Sequence, residues 1–240
     1  MYYGYGYGGM GYYSSMIVLI PAMIFTMIVQ WRIKQAYSTY SGVQNSHHIT
    51  GAQAARAMLD ANGLNDVPIN ILNGDALNNY FDPRSNTVNL SQTVYHTDSI
   101  ASMCIACHEV GHAIQHATGY APIRFRNAIV PLVNLTSTVS WPLIVLGLVL
   151  SSTSGYGTLF FNLGVLCFVL VVVFHLVTLP VELNASSRAL RQMRSLGMVE
   201  NADYNGSKKV LHAAAMTYVA ALATAVASLL RILLMRRDDR

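Results

Sequence analysis

Charged residues are scarce in this amino-acid sequence. Asp, Glu, Lys and Arg make up 11% of its 240 residues, whereas soluble domains carry about a quarter. This scarcity argues against an ordinary soluble domain, and the apolar share of 53% favours a membrane protein. The net charge is +4, but no dense basic run interleaved with aromatic residues is present, so we expect no nucleic-acid partner.

Cysteine and targeting signals are also sparse. The chain has three cysteines, which cannot form a fully paired disulfide framework, and Cys167 lies within an apolar stretch. The N-terminus has no positively charged segment, and the apolar stretch behind it has no clear cleavage site. We therefore expect an uncleaved first span that includes residues 16–29, preceded by a tyrosine- and glycine-rich flank.

Long apolar runs are what the sequence does contain. Four of them stand out, near residues 14–31, 128–151, 158–180 and 210–235. The third has no formal charge from Thr158 to Leu179 and is long enough to cross about 30 Å of hydrocarbon at 1.5 Å per residue. The fourth could cross, re-enter or lie along the membrane surface, and the sequence leaves these alternatives open.

Basic residues near the apolar runs predict an orientation. They follow the first and third runs and precede the second, which places them on one side if each run crosses once. Lys and Arg near membrane ends favour the cytoplasmic side. The residues concerned are Arg32, Lys34, Arg124, Arg126, Arg188, Arg191 and Arg194.

The region between the first two runs, roughly residues 35–120, has the patterns of short soluble elements. Thr50 with Gln53 forms a capping-box pattern that predicts a helix over residues 50–62. Two strand patterns follow, VPINIL and TVNLS, before a helix that ends near Gly119. We therefore predict a small α+β region here.

A metal-binding motif lies on that last helix. His108-Glu109-Val110-Gly111-His112 matches H-E-x-x-H, in which histidines four residues apart share one helix face and can bind one zinc ion. Glu109 can then accept a proton from the activated water. Such a site needs a third protein ligand and one open position. The alternative is a pair of solvated histidines beside a surface glutamate.

A second motif overlaps the first. Cys104, Cys107 and His108 form C-x-x-C-H, the attachment pattern of c-type haem. Haem attachment belongs outside the cytoplasm, and it would leave Glu109 and His112 without a role. We therefore favour zinc, and interpret the two cysteines as small buried helix residues.

The third ligand is expected from the same membrane side. Glu182 follows the third apolar run, and the hairpin of residues 128–180 returns the chain to the side it left. The geometry therefore permits Glu182 to meet the H-E-x-x-H helix. Alternatively, Glu182 is an interfacial acid at the start of a solvated helix that Pro180 begins.

Further polar residues near these positions have two interpretations each. His116 lies one turn beyond His112 and could orient a ligand or stabilise an oxyanion, or it is a solvated histidine. His175, inside the third run, is a further site candidate. Arg188 could bind a substrate carbonyl or steady Glu182, or it anchors the helix at the membrane surface.

Three sequence blocks carry a family resemblance. HEVGHAIQH, the upstream YFDPRSNTVNLS and the downstream LPVELNASSRAL, in this order, resemble the YugP family of bacterial membrane zinc peptidases. The resemblance implies a multi-pass membrane metallopeptidase in which His108, His112 and Glu182 bind zinc. It also implies that Glu109 catalyses hydrolysis.

A more distant similarity is to the HtpX-like and CAAX-processing membrane zincins. Those relatives have an aspartate four residues after the ligand glutamate, where it orients a zinc-bound histidine. This chain has Ser186 there, so Asn184, Ser186 or a water is expected to take that contact. The comparison also suggests a substrate-binding sheet edge, or a strand with no substrate role, at residues Thr87, Val88, Asn89 and Leu90.

Together these observations predict a mainly α membrane protein, with about four membrane-associated helices and a small α+β zincin-like catalytic region. We expect a zinc-dependent endopeptidase with one zinc per chain, acting on membrane-associated or unfolded polypeptides. It would lie in the bacterial cell membrane with its active site facing the cytoplasm. The alternative is a non-catalytic membrane scaffold with a structural or vestigial metal site.

The prediction divides the chain into five segments. They are residues 1–34 with the leader and first transmembrane helix, 35–127 with the catalytic region, 128–180 with the transmembrane hairpin, 181–209 with the third-ligand helix, and 210–240 with the C-terminal membrane-associated helix and basic tail.

Overall fold

The computed structural model of the chain describes residues 15–73, 78–151 and 155–237. The tyrosine- and glycine-rich flank falls outside these ranges. In chain order the elements are α1 (Leu19–Ser41), α2 (Gly51–Asp60), β1 (Ile69–Leu72), β2 (Tyr80–Asp82), β3 (Thr87–Ser91), α3 (Gln92–His96), α4 (Ile100–Ala117), α5 (Ala121–Ser151), α6 (Gly157–Ser195) and α7 (Asn201–Arg237).

Four of these helices are long and apolar enough to cross a membrane. The shortest candidate span has 27 residues, or about 40 Å at 1.5 Å per residue, against about 30 Å of hydrocarbon. The C-terminal helix, which the sequence left open, is among them. With the small sheet described below, the structure confirms the predicted fold class. The candidate spans are Ser15–Ser41, Ala121–Ser151, Gly157–Ser195 and Asn201–Arg236.

The described residues divide into two compact units. The first unit is drawn from the described parts of Met1–Ile28, Phe125–Leu179 and Tyr218–Arg240, and the second unit from Val29–Arg124 and Pro180–Thr217. Each of the four long helices contributes residues to both units. The five segments predicted from the sequence are defined by expected function, whereas these two units are defined by contacts. The five-segment division therefore stays a prediction.

Close helix contacts and exposed apolar side chains characterise the first unit. A Cβ atom added at Gly164 would lie 2.7 Å from Ile144 Cγ1 and 2.8 Å from Ile144 N. Glycine therefore lets α5 and α6 approach closely, as small residues do at helix interfaces in membranes. Leu135, Val149 and Leu159 are exposed, which suits a surface surrounded by lipid.

The end of α7 lies beside the beginning of α6. The Arg236 guanidinium donates a hydrogen bond to Asn162 Oδ1, and its carbon lies 5.4 Å from the centroid of the Phe161 ring. The last turn of one helix thus contacts the first turns of the other. This is the arrangement expected of two antiparallel helices that cross the same layer.

A three-stranded sheet, the helices α2, α3 and α4, and parts of the four long helices build the second unit. The predicted capping box is present, with Gln53 N 3.2 Å from Thr50 Oγ1 and Thr50 N 2.8 Å from Gln53 Oε1. It begins α2, which packs on α4. The core is apolar and close-packed; its fully buried members include Met58, Leu59, Val88, Leu90, Met103, Val110 and Met193.

The sheet has the order β1-β3-β2, with β1 parallel and β2 antiparallel to β3. The prediction that Thr87 to Leu90 form a sheet edge is therefore wrong. Val88 and Asn89 have paired residues on both sides, so their strand has no unpaired side in this stretch. One neighbour is β2, which precedes β3 in a hairpin. With three residues, β2 is too short to have a clear strand pattern in the sequence. Among the described residues, the edge strands of this sheet are β1 and β2.

Candidate metal centre

Helix α4 positions the H-E-x-x-H residues. It begins at the N-cap Ser99, whose side chain accepts a hydrogen bond from Ser102 N at 3.1 Å. A residue spacing of four puts His108 and His112 on the same face, and their rings lie edge to face with centroids 4.8 Å apart. Both imidazoles therefore face one point beside the helix.

Helix α6 supplies a carboxylate at that point. Glu182 Oε2 lies 3.2 Å from His108 Nε2 and 3.3 Å from His112 Nε2. The ligand atoms of the three residues all lie within 4.8 Å of one another. The structure thus brings together the three residues expected as ligands, although their role in binding metal stays a prediction.

The separations of the Glu182 carboxylate from the two imidazoles fit a zinc ion. In a tetrahedral site with bonds of about 2.0–2.1 Å, neighbouring ligand atoms are about 3.3 Å apart. The two separations from Glu182 Oε2, 3.2 and 3.3 Å, match this value. The donor set of two imidazole nitrogens and one carboxylate oxygen is also one that catalytic zinc takes, with the fourth position open.

The Nδ1 atoms of the two imidazoles each contact a polar side chain. Ser186 Oγ lies 3.1 Å from His108 Nδ1, so of the candidates Asn184, Ser186 and a water, Ser186 is within hydrogen-bond distance of this imidazole. Gln115 Oε1 lies 3.0 Å from His112 Nδ1. The sequence reasoning missed Gln115, although its place three residues after His112 on one helix is the available signal.

The other candidate residues lie around this centre. Asn184 Oδ1 accepts hydrogen bonds from Gln115 Nε2 at 3.0 Å and from Arg188 Nε at 2.7 Å. Arg188 therefore contacts Asn184, and its guanidinium carbon lies 6.0 Å from the centroid of the Tyr120 ring. Its expected contacts with Glu182 or a substrate carbonyl stay predictions.

The expected catalytic base is tied to the sheet edge. Glu109 is buried, and its Oε2 accepts a hydrogen bond from Phe81 N of β2 at 3.0 Å. The exposed His116 lies beside the same strand, with its ring centroid 5.7 Å from that of Phe81. His175 belongs to the first unit, where its Nδ1 lies 2.8 Å from Val171 O.

The C-x-x-C-H cysteines lie inside the core. Cys104 and Cys107 are fully buried, and the Cys104 thiol contacts the Ser207 carbonyl at 3.8 Å. Burial raises the pKa of the Cys104 thiol to about 12 and also raises the pKa of the Cys107 thiol. Covalent haem attachment needs both sulfurs at a haem-sized opening, so this geometry disfavours it.

The fold and the three converging side chains are those of a class of membrane proteins with a candidate metal centre. The family described as "Putative neutral zinc metallopeptidase" matches residues 15–237, and the chain belongs to this family. It is 41% identical over 221 residues to "Putative membrane protease YugP" of Bacillus subtilis (strain 168), covering 92% of this chain and 96% of that protein. No solved structure matches the chain.

These comparisons confirm the resemblance drawn from the three sequence blocks. The family description supports a zinc peptidase, and the relative's name supports a location in a membrane. The roles of individual residues stay predictions.

Proposed function

We propose that the chain is a zinc-dependent membrane endopeptidase that holds one zinc through His108, His112 and Glu182. The observation that carries this proposal is the convergence of the three side chains at separations suited to a tetrahedral metal. Zinc bound there supplies Lewis acidity and a water of near-neutral pKa.

Glu109 is the proposed general base. It accepts the proton that water loses on attacking the scissile carbonyl, and passes a proton to the amine as the peptide C–N bond breaks. The hydrogen bond from Phe81 N to Glu109 Oε2, at 3.0 Å, orients the carboxylate for this transfer. His116, beside Phe81, is the proposed donor to the developing oxyanion.

The substrate is proposed to pair with β2 rather than β3. As an edge strand, β2 can take a further strand. Phe81 directs its N–H toward Glu109, so a peptide extended along β2 would pass beside the catalytic carboxylate. Pairing requires an extended segment, which suits unfolded or membrane-associated polypeptides.

The active site is proposed to face the cytoplasm. If each long helix crosses the membrane once, residues 42–120 and 196–200 lie on one side. That side borders most of the basic residues, whereas the tail that follows α7 mixes arginine with aspartate. The positive-inside rule assigns the more basic side to the cytoplasm. The basic residues near it are Arg32, Lys34, Arg124, Arg126, Arg188, Arg191, Arg194, Lys208 and Lys209.

A non-catalytic scaffold with a structural metal is the alternative. Structural zinc sites have four protein ligands and no open position. Within the described ranges the group at this centre comprises three ligand residues, and Glu109 stands beside it, tied to a sheet edge. A set of three ligands and an adjacent carboxylate fit a catalytic zinc site better than a structural one.

The test uses the full chain purified in detergent, a quenched fluorescent unfolded polypeptide as substrate, and zinc analysis of the protein. Glu109→Gln is expected to keep stoichiometric zinc and to lose hydrolysis by about 10²–10⁴-fold, the usual contribution of a general base. The matched control is Glu200→Gln, since Glu200 is exposed and pairs with His47. Full hydrolysis by Glu109→Gln, or by wild-type protein stripped of zinc, would reject the proposal.

A further inference from the structure

Gln115 occupies the centre of a hydrogen-bond chain beside the metal centre. It is fully buried, and its amide contacts three polar groups. Its Nε2 lies 2.8 Å from the carbonyl oxygen of Val181 and 3.0 Å from Asn184 Oδ1, and its Oε1 lies 3.0 Å from His112 Nδ1. One side chain of α4 thus connects an imidazole of its own helix to α6.

The direction of the Gln115 amide follows from its neighbours. The Val181 carbonyl can only accept a hydrogen bond. Arg188 Nε can only donate, and it donates to Asn184 Oδ1 at 2.7 Å, so that oxygen is an acceptor as well. Because the Val181 carbonyl and Asn184 Oδ1 both accept, the group of Gln115 that faces them must be its NH₂. The amide oxygen of Gln115 must therefore face His112 Nδ1.

The amide oxygen in turn determines the tautomer of His112. Because Gln115 Oε1 can only accept, His112 Nδ1 must carry the hydrogen, and a neutral imidazole has only one. The lone pair of His112 is then on Nε2, which points at Glu182 Oε2 from 3.3 Å. A nitrogen lone pair and a carboxylate oxygen repel each other unless a cation lies between them.

We infer that Gln115 is a positioning residue that holds His112 in the tautomer whose Nε2 binds the metal. This inference rests on the proposed function. Reversing the amide would make Nε2 a donor to Glu182 and would close the centre with a hydrogen bond. Ser186 cannot act in the same way on His108, because its hydroxyl can donate or accept.

The experiment compares two substitutions with different chemistry at the same position. Gln115→Leu removes all three hydrogen bonds at similar volume. Gln115→Glu retains an oxygen that accepts from His112 Nδ1 and alters the contacts to Val181 and Asn184. The matched control is Gln192→Leu, which removes the reciprocal amide pair with Asn62, at 2.6 and 3.0 Å, without touching the metal centre.

Two quantities are measured on the full chain in detergent. The first is zinc affinity by competition with a chromophoric chelator, and the second is the unfolding temperature of the zinc-free protein. Gln115→Leu is expected to weaken zinc binding about 10–100-fold, as loss of a contact to a ligand histidine typically does. Gln115→Glu should keep an affinity close to wild type while its unfolding temperature falls. The control should lose stability only.

Wild-type affinity in Gln115→Leu would overturn the inference, and so would equal loss in both Gln115 variants, because that result indicates packing rather than a hydrogen-bond role. Either result, with a wild type that binds zinc and hydrolyses peptide, leaves the proposed function standing. A wild type that binds no zinc would overturn both.

Discussion

Gly111 lies at a close contact between the helices α4 and α6, which carry the proposed zinc ligands. It lies between His108 and His112 on α4, and a Cβ atom added there would be 2.8 Å from the Ala185 carbonyl oxygen and 3.2 Å from its carbonyl carbon and Cα. All three are backbone atoms of α6, so no side-chain rotation can make room. Gly111→Ala must therefore move α6 away from α4 by a few tenths of an ångström at least.

Gly111→Ala is expected to have a small effect on the free energy of unfolding and a large effect on hydrolysis. Alanine gains about 1 kcal/mol of helix propensity over glycine, and overpacking a filled contact costs about 1–3 kcal/mol. The free energy of unfolding should therefore fall by no more than about 2 kcal/mol. Glu182 lies one turn before Ala185 and must follow the shift, which draws its Oε2 away from both imidazoles. We expect hydrolysis to fall roughly 10- to 100-fold, as sub-ångström to 1 Å misplacement does in a positioned site.

The assay measures hydrolysis, zinc affinity and thermal unfolding on the same preparation. Gly42→Ala is the matched control, because a Cβ atom there would have its nearest neighbour, Thr39 O, at 4.0 Å. The control should keep both activity and zinc affinity. Wild-type hydrolysis and zinc affinity in Gly111→Ala would refute the reasoning, since they would show that the contact with Ala185 does not determine where Glu182 stands.

Two further predictions concern other buried groups. Cys104 and Cys107 should resist a charged maleimide in the folded protein at about pH 8 and react after unfolding, because burial raises the pKa of the Cys104 thiol to about 12 and also raises that of Cys107; rapid labelling of the folded protein would contradict their placement. Glu182→Gln should weaken zinc binding by more than the roughly 10–100-fold typical of an outer contact, measured by equilibrium dialysis; stoichiometric zinc after dialysis would remove Glu182 from the ligand set.

The parts of the site that could be predicted from sequence are those set by local geometry. Histidines four residues apart share a face on any α-helix, so the pairing of His108 and His112 needs no tertiary information. The apolar runs are local in the same sense, since length and composition suffice for a candidate span. To predict where Glu182 lies required one further step. If two successive apolar runs each cross the membrane, the chain returns to the side from which it left.

The parts that could not be predicted depend on which distant groups become neighbours. Strand patterns in the sequence do not specify sheet order, and the expectation of an edge at β3 rests on the distant resemblance alone. In the structure β1 and β2 flank β3. The contact from Phe81 N to Glu109 spans 28 residues and uses a backbone group that any residue type would supply. Gln115 had a local signal, but its amide direction depends on Val181, which is 66 residues away.

The same separation has an energetic consequence for the metal centre. His108 and Glu182 are 74 residues apart, and the residues between them include α5 and much of α6. Two imidazoles alone leave a zinc ion without the carboxylate that completes the donor set, and closing a loop of this length costs entropy that grows slowly with length. We expect the hairpin of α5 and α6 to form without the metal, because apolar burial and helix packing stabilise the hairpin. Its formation would then offset the entropy lost on closing the loop. The long apolar helices thus matter to the proposed site, because Glu182, the proposed third ligand, lies on one of them and outside the five-residue motif.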